Sequence, residues 1–98
     1  IGYPDLIKTQ LRDLALDENG NIYILLSYSP DNQAVYVLDT YGRAMHKFGR
    51  LDYKNDLQRP EGSFFEPISI AVTRDGRFVF VYENGSLTCF NLETVWWE

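Results

Sequence analysis

Apolar positions come in short alternating or continuous runs, each closed by a Gly, Asn or Asp pair. Leu14-Ala15-Leu16 is followed by a polar stretch containing Asn19-Gly20, then by the apolar run Ile22-Tyr23-Ile24-Leu25-Leu26. Asn and Asp tolerate positive φ and Gly adopts it freely, so Asn19-Gly20, Asp75-Gly76 and Asn84-Gly85 read as hairpin turns of the primed type. On this pattern strands are expected at about 13–17, 21–27, 34–39 and 43–48, and again at about 69–73, 77–82, 86–91 and 94–98. No segment sustains apolar residues at i, i+3, i+4 and i+7, and glycine recurs too often for long helices. The expected class is all-β.

The pattern is written twice. Leu14 to Leu25 aligns without gaps on Ile70 to Val81, and Val35-Tyr36-Val37-Leu38-Asp39 matches Leu87-Thr88-Cys89-Phe90-Asn91 once the loop from Leu26 to Gln33 is allowed about four extra residues. The period of about 52 to 56 residues lies near that of propeller blades. Leu14-Ala15-Leu16 and Ile70-Ala71-Val72 are apolar on both faces, so the first strand of each copy is expected to be covered on both sides. The fourth strand sets Ala44, His46 and Phe48 on one face and Met45 and Lys47 on the other, the looser pattern of an outer strand. The implied organisation is a lead-in at 1–9, one four-stranded unit at 10–49, a connection at 50–63 and a second unit at 64–98.

Composition narrows the partners more than the fold. The 98 residues suffice for one domain and its core, with 45% hydrophobic and 23% charged residues. A net charge of −5 opposes nucleic acid and anionic membranes, which are held through accumulated Lys and Arg. The longest apolar run, Phe78 to Tyr82, is far too short to span a bilayer, so soluble material is expected. One cysteine, Cys89, excludes an intrachain disulfide and leaves the compartment undetermined. The chain opens Ile1-Gly2-Tyr3-Pro4 without an initiator methionine, from which a segment of something larger is expected.

These features together resemble the NHL-type repeat propellers. The entry Gly62-Ser63-Phe64-Phe65-Glu66-Pro67, the first strand Ile70-Ala71-Val72, the turn Asp75-Gly76 and, in the first copy, Asp17-Glu18-Asn19-Gly20-Asn21, Tyr23-Ile24 and Val37-Leu38-Asp39-Thr40-Tyr41-Gly42 carry the resemblance over about four fifths of the chain. Departures fall in the second copy: Thr73 where the pattern favours Asp, and Asn91-Leu92-Glu93 without a following Gly. The resemblance implies two four-stranded antiparallel blades. Two blades cannot close a ring of about four to eight. A larger, six-bladed ring completed by chain extension or by further copies is therefore expected, three copies giving six blades.

Candidate chemistry is sparse. His46, the only histidine, reads as a solvated outer-strand residue, and Cys89 reads as a buried structural thiol. Asp17, Glu18, Asn19 and Asn21 offer oxygen ligands without the acidic spacing of a calcium loop, and read as turn residues. Asn84-Gly85-Ser86 fits a glycosylation acceptor as well as a tight turn. Trp96 and Trp97 point to opposite faces of any strand that contains them, one towards a core or a neighbouring blade. No catalytic residue, metal site or cofactor is assigned.

The connection from Gly49 to Phe65 is long, and Arg43, Lys47, Arg50, Lys54 and Arg59 outnumber Asp52 and Asp56 from 43 to 59. In propellers this connection shares a rim with the loop between second and third strands. The resemblance thereby gathers Tyr28, Asn32, Arg50, Tyr53, Lys54, Arg59, Glu83 and Asn84 on one face, where binding residues on a rigid scaffold collect. The leading functional expectation is non-enzymatic recognition of a protein or peptide through these rim loops, or of further blades or copies of itself. The alternative is part of a lactonase- or lyase-type propeller enzyme whose calcium or zinc ligands lie largely outside this chain. RNA binding, known for some NHL propellers, ranks last because of the acidic balance.

Overall fold

A computed structural model describes residues 10–52 and 62–95, and the structural statements below concern those residues. The chain forms strands β1 (Gln10–Leu16), β2 (Ile22–Tyr28), β3 (Gln33–Leu38), β4 (Ala44–Leu51), β5 (Ser63–Phe64), β6 (Ser69–Val72), β7 (Phe78–Glu83) and β8 (Ser86–Asn91), then a single helical turn α1 (Leu92–Val95). It is all-β, in two sheets. The first has the order β1-β2-β3-β4-β5, antiparallel through β4, with the two-residue β5 added parallel to the end of β4. The second is the antiparallel meander β6-β7-β8. A fourth strand was expected from 94. The chain instead coils into α1, where the Leu92 N–H donates to the Arg77 carbonyl at 2.8 Å and the Leu92 side chain is buried in the core. Residues 96–98, with Trp96 and Trp97, lie outside the described residues.

The sheets stack face to face around one core. Tyr23, Leu25, Val35, Val37 and Phe48 come from the first sheet, and Ile70, Val79 and Val81 from the second, with Leu51, Phe64 and Leu92 at the margins. The ring of Phe90 sits 4.8 Å from that of Phe48 and 6.0 Å from that of Phe64, tilted as aromatic pairs prefer. At the opposite edge of the sheets, Asp13 of β1 accepts the Ile70 N–H at 2.9 Å, drawing the first strands of the two sheets together.

Pairing shows how the stacking runs, and it departs from the gapless alignment by one residue. Leu16 pairs with Ile22 across five residues, whereas Val72 pairs with Val79 across six. The structural counterparts are therefore Ile22 with Val79, Tyr23 with Phe80 and Ile24 with Val81. The third strands then agree: Tyr23 faces Val37 as Phe80 faces Cys89. Successive strand residues alternate faces, so one residue of slip exchanges them. Tyr23 and Leu25 point from the first sheet at the second; their counterparts Phe80 and Tyr82 point away from the first. The two sheets are stacked head to tail, front face on back face.

The expectation that β1 and β6 are covered on both sides is overturned. Leu14, Leu16 and Ala71 are exposed, because the outward sides of β1 and β6 carry no covering neighbour among the described residues. Cys89, expected inside, is exposed for the same reason.

Candidate functional site

Turn chemistry positions both ends of the stack. Among the described residues only Asn84 and Gly85 combine positive φ at both central residues, at 40° and 87°, and they make the two-residue turn between Glu83 and Ser86. The connections at 17–21 and 73–78 are built differently. There the Gly20 N–H donates to the Asp17 carbonyl and the Gly76 N–H to the Thr73 carbonyl, and only the glycine takes positive φ. Asn19-Gly20 and Asp75-Gly76 are thus turns whose glycine follows the bend, not primed two-residue turns.

These two connections meet at one end of the stack. The Glu18 N–H donates to the Arg74 carbonyl at 2.9 Å. The buried Asp17 carboxylate accepts from the backbone of Asn19 and Asn21, from the Asn21 amide at 3.0 Å and from the Tyr23 hydroxyl at 2.9 Å. Burial pushes this carboxyl upward, but the hydrogen bonds from Asn21, Tyr23 and Asn19 outweigh it and hold its pKa below the ordinary value. Burial and the neighbouring Asp17 push the Tyr23 phenol well above its ordinary value. Its acceptors occupied by the turn, Asp17 serves structure, as the turn reading of this run expected. Nearby a depression of about 450 Å³ is lined by Met45, His46, Asn19, Arg77, Leu92 and Glu93 among others. His46, expected on a solvated surface, is half-buried in it, and burial lowers its pKa.

The opposite end holds the described residues that the sequence singled out. Tyr28 and Asn32 bound the β2–β3 loop, Arg50 pairs with Gln33, and the Leu51 N–H donates to the Asn32 carbonyl at 2.7 Å. Loop and connection are therefore adjacent. Within the loop Ser29 donates to the Gln33 carbonyl, and Asp31 accepts from Tyr36 and Lys47. Burial raises the Asp31 pKa, but the bonds from Lys47, Tyr36 and Ser29 win and lower it. Tyr53, Lys54 and Arg59 lie outside the described residues.

On the second sheet, at this same end, a cavity of about 340 Å³ is lined by Arg12, Phe65, Glu66, Ile68, Glu83, Asn84 and Ser86. Of the expected residues, Glu83 and Asn84 line it, and Tyr28, Asn32 and Arg50 do not. The Glu83 carboxylate is buried and accepts the backbone N–H groups of both Phe65 and Glu66. Arg12 donates from Nε to the Pro67 carbonyl at 3.3 Å, closing another wall. The sequence reading missed Arg12, Phe65, Glu66, Ile68 and Ser86. The Gly62-to-Pro67 entry was a signal for two of them, Phe65 and Glu66, since it leads directly onto β6. Among the described residues no group of three or more His, Cys, Asp or Glu side chains is placed to hold a metal ion, and no helix is long and apolar enough to cross a membrane.

Compared with known proteins, the chain matches no family model and no curated protein.

Proposed function

We propose that the two sheets are consecutive blades of an NHL-type β-propeller and that the loop end of the stack recognises a protein or an extended peptide. The observation that carries the recognition reading is the cavity of about 340 Å³ between Arg12, Phe65, Ile68, Glu83 and Asn84. It combines a buried carboxylate held by two backbone N–H groups, a guanidinium, an amide on a tight turn, and apolar surface from Phe65 and Ile68. Such a mixture suits a peptide, whose backbone needs donors and acceptors and whose side chains need apolar contact. The walls come from three separated stretches of chain, so the site needs both sheets in place. The blade reading is supported by the repeated meander, the head-to-tail stacking and the residue pattern shared with NHL repeats.

The test is selection of displayed random decapeptides on the wild-type chain, followed by titration against variants. Arg12→Ala and Asn84→Ala are each expected to weaken the selected peptides at least tenfold, and Met45→Ala at the opposite end to leave them unchanged. Peptides that bind all three variants equally, or a failure to select any, would overturn the reading.

A further inference from the structure

Head-to-tail stacking leaves one face of each sheet outside the shared core, and these two faces are counterparts of the two that already meet inside the chain; on the first sheet Leu26, Tyr36 and Leu38 of that face are buried, and the open part runs along β1. On the first sheet the inward residues Val35 and Val37 are 0% exposed, shielded by the second sheet. Their counterparts on the outward face of the second sheet are Leu87, 67% exposed, and Cys89, also exposed. Leu25 is 0% exposed and its counterpart Tyr82 is 41% exposed. The other pair of faces mirrors this. Ile70 of the second sheet is 7% exposed against the first, while its counterpart Leu14 on the outward face of the first is 50% exposed, with Leu16 at 59% beside it. Along β1 of the first sheet and across β7 and β8 of the second, the outward faces thus present apolar side chains of a stacking surface without a neighbour.

We propose that these faces join two copies of this chain, the outward face of the first sheet in one copy (Leu14, Leu16, Ile22, Ile24) packing on the outward face of the second sheet in the next (Ala71, Phe80, Tyr82, Leu87, Cys89). The occupant is argued from continuity: the operation that lays one sheet on the other within a copy, applied once more, lays the first sheet of the next copy on the second sheet of this one. The contact is heterologous. It uses a different surface on each copy, so it adds copies in one direction until a ring closes. Exposed apolar faces of this kind are where soluble chains associate. A net charge of −5 per copy opposes the contact over distance, so added salt favours it. The inference rests on the blade reading, but not on recognition at the loop end.

Two variants test it, each replacing an exposed side chain that the fold of one copy does not need. Leu14→Glu blocks the first-sheet face and Leu87→Glu the second-sheet face. Light scattering of the wild-type chain is expected to give a mass at least twice that of the monomer, rising with salt. Each variant alone is expected to be monomeric, and an equimolar mixture to form a heterodimer and nothing larger, since one good face of each kind remains. Those Cys89 thiols covered by the contact, read with a disulfide reagent, are expected to react at least tenfold more slowly in the wild-type assembly than Cys89 in Leu14→Glu, while the thiol of an uncapped end reacts at the Leu14→Glu rate. A monomeric wild-type chain at millimolar concentration would overturn the proposal. So would self-association of either variant alone, because that means like faces pair. Ring contacts between Phe48 and Phe90 report the stacking within one copy, so a failure of the blade reading is distinguishable from a failure of the contact between copies.

Discussion

Asp17 shows how one side chain joins the two sheets. Its carboxylate ties the 17–21 turn to the buried Tyr23 hydroxyl, and a Cβ added at Gly76 of the other sheet would meet both its Oδ2 and the Tyr23 hydroxyl at 2.8 Å. Replacing Asp17 by Ala leaves two backbone N–H groups and a buried phenol without this acceptor. A loss of about 2–3 kcal/mol in urea denaturation is expected, against about 1 kcal/mol for Tyr23→Phe, which removes only one donor. The depressed Asp17 pKa stabilises the fold fully above its ordinary value of 3.8, and that stability is lost as pH falls through the lower folded value. Acid unfolding of the wild type should therefore steepen below about pH 4, and Asp17→Asn should flatten it. Glycine supplies a sharper comparison. Gly76 at φ +76° is hemmed in, whereas Gly85 at φ +87° faces open space. Gly85→Ala should cost about 1 kcal/mol, from its backbone conformation alone. Gly76→Ala, which also forces back two buried oxygens, should cost at least about 2–3 kcal/mol; equal costs would show that the two turns do not touch.

At the scale of elements, β4 carries His46 on the face that packs towards the second sheet. Burial lowers its pKa, so the folded state resists protonation and stability declines as pH falls below the ordinary value of 6.5. An NMR titration of His46 is expected to show a midpoint below 6.5, and His46→Gln to lessen the loss of stability between about pH 6.5 and 5. A midpoint at or above the ordinary value would place His46 in solvent. The strands themselves were legible: seven of the eight expected are found within a few residues, because period-2 patterning and Gly-containing turns report local geometry directly. Three things were not legible. A gapless alignment hid the extra residue in the 73–78 connection, since Phe78 is as apolar as the Ile22 it was matched to, yet the slip decides which face of β7 meets the first sheet. The reading of β1 as doubly covered took apolar character on two faces as evidence of two neighbours, when it marks surfaces able to take them. The cavity of the loop end was half legible: Glu83 and Asn84 were marked by their turn, but Arg12 reaches the same wall only through the packing of β1 beside β6, which no local pattern encodes.

At the scale of the whole molecule, two similar sheets stacked in one direction explain a core between them and apolar faces outside them. A two-fold arrangement of the same sheets would bury both Tyr23 and its counterpart Phe80, and would leave no reason for Leu14, Leu16, Tyr82 and Leu87 to be apolar. Head-to-tail stacking makes those residues the continuation of the core pattern. It also sets the loops of both sheets at one end, where the cavity beside Glu83 lies, and the Asp17 and Gly76 turns at the other. The measurement that tests this most directly is a set of proton NOEs on the Leu87→Glu chain, which isolates one copy. Cross-peaks are expected from the Phe90 ring to Phe48 and Phe64, and from the Val79 and Val81 methyls across to the first sheet, with none from Phe80 or Tyr82 to Tyr23 or Leu25. Cross-peaks from Phe80 and Tyr82 to Tyr23 and Leu25, with Phe90 silent towards Phe48, would contradict the account.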